Sequence, residues 1–248
     1  MTVATPRKSN APFKDKSKLI ASIKDFLTKN SAAISGQGAK ISEFFEMCCF
    51  NDVVEFYGKN KFTVTPQQLG KTGEFVYKLK ANGSHEKFSF FEVEKTDKSG
   101  VTWKFHIHHN LQLECAHQTG IFYTADIAVV SAGSVKREKV AVYNQQRSYC
   151  PAKSVQTFFE VKHMGPFPEL LFSYTGLVVN FFVPAGRVKG VKHIAPSLLI
   201  SGNPNLHTKA ISAFVAARFH ANILAHLFAR PSTIYSTKYS KLFVDSAP

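Results

Sequence analysis

The stretch "TADIAVVSAG" constrains this chain most. Ile127 to Val130 form an unbroken apolar run, which cannot alternate between a wet and a dry face, so it suits a central strand covered on both sides. A second extended run, "KSVQTFFEVKHM", follows, and its Phe158 and Phe159 lead into Glu160 and Lys162. Next come "PFPELLFSYTGLVVNFF", a helix entered through prolines, then "PSLLISGN", a short strand. "LHTKAISAFVAARFHANILAHLF" reads as one long amphipathic helix, capped by the Gly202-Asn203-Pro204-Asn205 turn. This order of strands and helices predicts an α/β fold, a mixed β-sheet flanked by helices on both faces.

The first half adds a helix and a meander. Residues 1 to 16 read as a disordered basic N-terminal arm and residues 17 to 248 as a single domain. "KLIASIKDFLTKN" and "AKISEFFEMCCFNDVVEFYGKN" read as helices, the second with Ile41, Phe44, Phe45, Cys48, Cys49 and Val53 at helical intervals. "KFTVTP" reads as a strand. "EFVYKLK", the tight "ANGS" turn and "EKFSFFEVEK" read as a hairpin, and "VTWKFHIHHNLQLECAH" as a further extended segment. "FFEVEK", with Glu92 and Glu94, reads as an edge strand whose charges face water.

Composition narrows the partners. Thirty-one Lys and Arg against 17 Asp and Glu leave a formal charge of +14, which points to a polyanion, most commonly nucleic acid. Four cysteines without a CxxC pair read as reduced thiols. The N-terminus has no apolar secretory core, and the most apolar stretch, residues 170 to 183, is interrupted by Ser173, Gly176 and Asn180. It is too short and mixed to span a bilayer, so the expectation is a cytoplasmic protein without a membrane partner.

Glu160 and Lys162, two apart on a strand, share one face. Asp126 opens the neighbouring apolar strand, so the three can converge at one end of the sheet. Two carboxylates there make a hard-oxygen site for Mg²⁺, and an ammonium beside them can orient or help deprotonate an attacking water: the chemistry of phosphodiester hydrolysis.

An acid followed at a distance by Glu160-Val161-Lys162 on an apolar strand resembles the PD-(D/E)xK nuclease superfamily. Ala125-Asp126 stands where that family has Pro-Asp; the missing proline removes no catalytic group. The resemblance covers about residues 38 to 225. It implies a restriction endonuclease-like fold and a Mg²⁺-dependent DNA endonuclease, with Mn²⁺ able to substitute. Asp126, Glu160 and Lys162 would be catalytic, Asp126 and Glu160 metal-holding. An acid from the first core helix would assist, Glu46 by its "F-E" setting, or Glu43 in its place. The segment around "FFEVKHM" also looks like a bacterial subgroup, which implies a restriction or anti-phage defence nuclease. Its partner would be double-stranded DNA, and cutting both strands calls for a homodimer. Competing readings are a non-catalytic nucleic-acid-binding module on a degenerate nuclease fold, and a repair or recombination nuclease.

Two basic loops are candidate nucleic-acid contacts: Lys136, Arg137 and Lys139, expected between the two catalytic strands, and Arg187, Lys189 and Lys192, which lack a Walker pattern. His106, His108 and His109, with Cys115 and His117, raise a zinc site. Without paired ligand spacing they read instead as polar side chains of an exposed strand.

Overall fold

The structure, a computed structural model, describes Ala21 and residues 41–81, 83–96, 98–182, 193–227 and 233–236. The expected basic arm, the helix expected at "KLIASIKDFLTKN" apart from Ala21, and the loop carrying Arg187, Lys189 and Lys192 lie outside the described residues. The elements are α1 (Ile41–Lys59), β1 (Thr63–Gln67), β2 (Phe90–Thr96), β3 (Thr102–Glu114), β4 (Phe122–Ser131), β5 (Lys136–Val140) and β6 (Gln145–Cys150). They continue with β7 (Val155–Lys162), α2 (Pro168–Phe181), β8 (Ser197–Ile200), α3 (Leu206–Phe219), β9 (Asn222–Ala225) and β10 (Thr233–Tyr235).

The strands form a sheet in the order β1-β2-β3-β4-β7-β8-β9-β10. A β5–β6 hairpin joins it through a parallel contact of β6 with β3. Pairing is antiparallel from β1 to β7 and parallel across β7, β8 and β9. Parallel neighbours need crossover connections, and α2 and α3 supply them. The result is an α/β fold around a mixed, mostly antiparallel sheet. Among the described residues no helix is long and apolar enough to cross a membrane.

Strand alternation divides the core. Phe159 and Val161 of β7 join Ile127 and Val129 of β4 and Phe45, Phe50 and Val53 of α1 in one buried cluster. Phe158 joins Ala128 and Val130, Leu171 and Tyr174 of α2, and Val215 of α3 in the other. One face of the sheet is thus closed by α1 and the opposite face by α2 and α3, which is why β4 and β7 carry apolar residues in both phases.

Several expectations are corrected. "EFVYKLK" forms no strand: β1, not this segment, pairs with β2. Phe75 and Tyr77 are held by rings, both lying 5.8 Å from Phe50, and the Lys78 ammonium is tied to nearby carbonyls, so side chains rather than a ladder pin the segment. "FFEVEK" is no edge strand, because β2 lies between β1 and β3. Glu92 and Glu94 stand opposite His106 and Lys104, and Lys104 pairs with both acids. Lys136, Arg137 and Lys139 are not on a loop but on β5. The long helix stops at Phe219. His220 takes a left-handed conformation (φ 52°), and the next residues are drawn in as buried strand β9, where the Asn222 amide bonds the Ser197 hydroxyl. The helix start is as expected, with Asn205 accepting from the Thr208 N–H at 2.9 Å.

Gly202 ties the end of β8 to the segment after β7. Its N–H donates to the Met164 carbonyl at 3.0 Å, and an added Cβ would lie 2.5 Å from both that oxygen and the Gly165 Cα. Backbone cannot yield as a side chain can. Gly202→Ala is therefore expected to cost about 1–3 kcal/mol, as overpacking does. Thermal unfolding followed by circular dichroism should show a drop of several degrees.

Candidate functional site

The pairing of β4 with β7 ends at Ile127 and Phe159, which leaves Asp126 and Glu160 facing one another where the two strands part. The apolar residues around them explain why both are buried, Asp126 at 8 % exposure and Glu160 at 7 %. Asp126 Oδ2 accepts from the Val161 N–H at 2.6 Å and lies 3.3 Å from Lys162 Nζ. Lys162 Nζ also pairs with Glu160 Oε1, so one ammonium bridges two carboxylates. The second oxygen, Glu160 Oε2, is buried with no hydrogen-bond partner.

Helix α1 adds a third acid. Phe45 and Phe50 anchor the helix on the sheet, and Glu46, beside Phe45, hydrogen-bonds Asp126. Glu43, one turn earlier and half-buried, is on the same helix, but Glu46 is the residue that meets the pair. His109 Nε2 lies 3.8 Å from Glu46 Oε2. Burial drives His109 down to about 3, which leaves it neutral.

The protonation pattern follows from three acids sharing one cation. Burial, and next the negative Asp126, push Glu46 up to about 8, so it holds a proton at neutral pH. Burial also raises Asp126 and Glu160, against the opposing pull of Lys162. Burial works against the Lys162 charge, but Asp126 and Glu160 outweigh it and hold this ammonium above its ordinary range. Buried charge at this density is costly and concentrates at sites that use it.

A pH effect on stability follows. Folded Glu46 keeps a proton that the unfolded chain releases near 4.5, so its contribution to stability is complete below that value and is lost as pH climbs through about 8. In metal-free buffer, Glu46→Gln should therefore flatten the fall of melting temperature across this window. At its upper end the variant should melt about 3 °C above the unaltered protein, as read by differential scanning calorimetry.

Among the described residues, no group of three or more His, Cys, Asp and Glu side chains stands in an arrangement that could hold a metal ion. The donors at Asp126 and Glu160, with the orphaned Glu160 Oε2, fit a hard cation of the kind held by one or two carboxylates and completed by water and substrate phosphate. Among the described residues softer metals find no such set. The His106 and His108 rings lie against Phe90 at 4.5 and 4.8 Å, while His109 lies against Phe50 at 5.3 Å and Tyr77 at 6.0 Å. His108 and His109 are buried, not exposed as expected, and His117 bonds the Val179 carbonyl at 3.2 Å.

Sequence reasoning missed Lys78, a buried lysine with no carboxylate partner among the described residues. Its Nζ donates to the carbonyls of Lys80 (3.0 Å), Ala81 (2.9 Å) and Asn110 (2.7 Å), and burial lowers it to about 8. Asn110 has φ 51°, returns a bond from its amide to the Lys78 carbonyl, and also meets His85 Nε2 at 3.1 Å through its own carbonyl. It lies between His109 and Leu111, which pair with Ile127 and Ala125, and so stands across from Asp126. The available signal was the Asn in the middle of "HIHHNLQL", a residue depleted in strands.

Lys136, Arg137 and Lys139 project from the hairpin; Arg137 pairs with Glu86, and Lys136 with Glu138 at 3.7 Å. In comparisons with known proteins, the chain matches no family model, no curated protein and no solved structure.

Proposed function

We propose that this chain is a Mg²⁺-dependent DNA endonuclease of the PD-(D/E)xK type with a restriction endonuclease-like fold, a restriction or anti-phage defence nuclease of the bacterial cytoplasm. One observation carries the reading: Asp126 and Glu160 meet where β4 and β7 part, with Lys162 bridging them. The formal charge of +14 supplies the attraction for a polyanionic substrate.

Asp126 and Glu160 would hold the cation. When bound, Mg²⁺ supplies Lewis-acid stabilisation of the charge that develops on the phosphate. The chain's own groups do the rest. Lys162, kept charged by its two acids, would orient the attacking water and stabilise the negative charge that develops as it attacks the phosphate. Asp126 is held rigid by the Val161 N–H. Glu46, protonated at neutral pH, keeps the cluster from carrying three negative charges, and its proton is available to the site. Cutting both strands of a duplex would take two such sites, hence a homodimer.

Supercoiled plasmid incubated with the protein and Mg²⁺ should become nicked and linear on a gel, and remain intact in EDTA. Retarded but uncut plasmid in both buffers would replace the enzyme with a binding module. Intact, unretarded plasmid would end both readings.

A further inference from the structure

A cleft of about 500 Å³ opens between the β5–β6 hairpin and the segment around residue 83. Lys78 and His85 line one side, and Arg137, Gln146 and Ser148 of the hairpin line the other. Register explains the hairpin wall. Arg137 is opposite Ser148 and Lys139 opposite Gln146, and cross-strand partners share a face, so this ribbon face is basic and amide-rich. No Asp or Glu is among the lining residues, but Arg137 is ion-paired with Glu86, so an incoming phosphate would take the place of that carboxylate. Ligand pockets are usually mostly apolar, and this one is not.

We infer that the cleft seats one nucleotide of a nucleic acid strand, with its phosphate at Arg137 and its base edge read by the Gln146 amide and the Ser148 hydroxyl. The inference rests on the nucleic-acid reading above and deepens it by naming where sequence is read. A side-chain amide or hydroxyl both donates and accepts, as a base edge does, and guanidinium matches phosphate. The Lys78 ammonium has three donors taken by three carbonyls, so it contributes field rather than contact, favouring an anion. Lys78 is bonded to Asn110, and Asn110 stands across from Asp126 on the adjoining strand, one spacing of about 4.8 Å away. The cleft and the acid pair thus adjoin through β3 and β4, as a reading site and a cutting site on one strand of nucleic acid must.

Fluorescence anisotropy in EDTA tests this apart from cleavage, using Asp126→Asn as parent and a short, labelled, mixed-sequence DNA probe, single-stranded and as duplex. Gln146→Met combined with Ser148→Ala keeps the charge and should weaken binding at least about tenfold without changing its salt dependence. Arg137→Gln should weaken it and reduce the salt slope by about one. Lys209→Gln, an equal charge change on the exposed face of α3, should alter affinity less than about twofold. A loss confined to the single strand identifies an unpaired nucleotide as occupant; an equal loss on the duplex identifies a base turned out of the stack. Unchanged binding by the Gln146→Met, Ser148→Ala variant, or an effect of Lys209→Gln as large as that of Arg137→Gln, would overturn the cleft assignment and leave the nuclease reading standing. A parent that binds neither probe would overturn both.

Discussion

Asp126→Asn is expected to lower Mg²⁺-dependent plasmid cleavage about a thousandfold with little change in melting temperature. The size follows from what the side chain does: it is half of the carboxylate pair and the partner of Lys162, and loss of one such preorganised group typically costs two to four orders of magnitude. The fold survives because the Asn Oδ1 can still accept from the Val161 N–H, and because the substitution removes a buried carboxylate whose charge burial already disfavours. Lys162→Ala should be as damaging to cleavage, but it strands two buried acids and should also lower stability. Measuring rate and melting temperature together separates the two effects. Cleavage by Asp126→Asn within tenfold of the unaltered protein would remove Asp126 from the reaction.

Phe50→Ala should be the most destabilising of the substitutions considered. Phe50 is fully buried where α1 meets the sheet, and its ring touches those of Phe75, Tyr77, Phe91 and His109 at 5.8, 5.8, 5.9 and 5.3 Å. Deleting a core phenylalanine costs about 3–5 kcal/mol, and the surrounding rings are too large to collapse into the gap. At about 2–4 °C per kcal/mol for a chain of this size, the midpoint of thermal unfolding should fall by roughly 10 °C. A fall of less than about 3 °C would mean that α1 is not held through this residue. Phe50 lies one turn beyond Glu46, so the variant links packing to the position of the third acid.

How much of this was legible in the sequence depended on whether the signal was local. Glu160 and Lys162 follow from the two-residue period of a strand, and their meeting with Asp126 from the tendency of apolar strands to pair. The structure adds that an entire hairpin, β5–β6, lies between β4 and β7 in the chain without separating them in the sheet. That hairpin escaped notice because "KREKV" and "QQRSYC" offer hardly any apolar alternation: β5 is almost wholly exposed. The end of α3 was missed for the opposite reason. "ANILA" continues a helical apolar pattern, and only the presence of β8 and β10 on either side makes it a strand. Lys78 was invisible because its partners are backbone carbonyls, one of them on β3, which no residue type announces. The faces of β4 and β7, by contrast, were readable since both phases are apolar and each needed its own cover.

The acids of the candidate site come from α1, β4 and β7, three elements far apart along the chain, and only the last of them brings the lysine. During synthesis a ribosome will have released α1 and strands β1 to β6 before β7 exists, and β7 then pairs with β4 ahead of β8, β9 and β10, which follow it in the chain. On the nuclease reading, a chain cut short before β7 therefore lacks both Glu160 and Lys162 and holds only part of the site. On that reading the order acts in time: the site is completed only when β7 brings Glu160 and Lys162 to an α1 and a β4 already made.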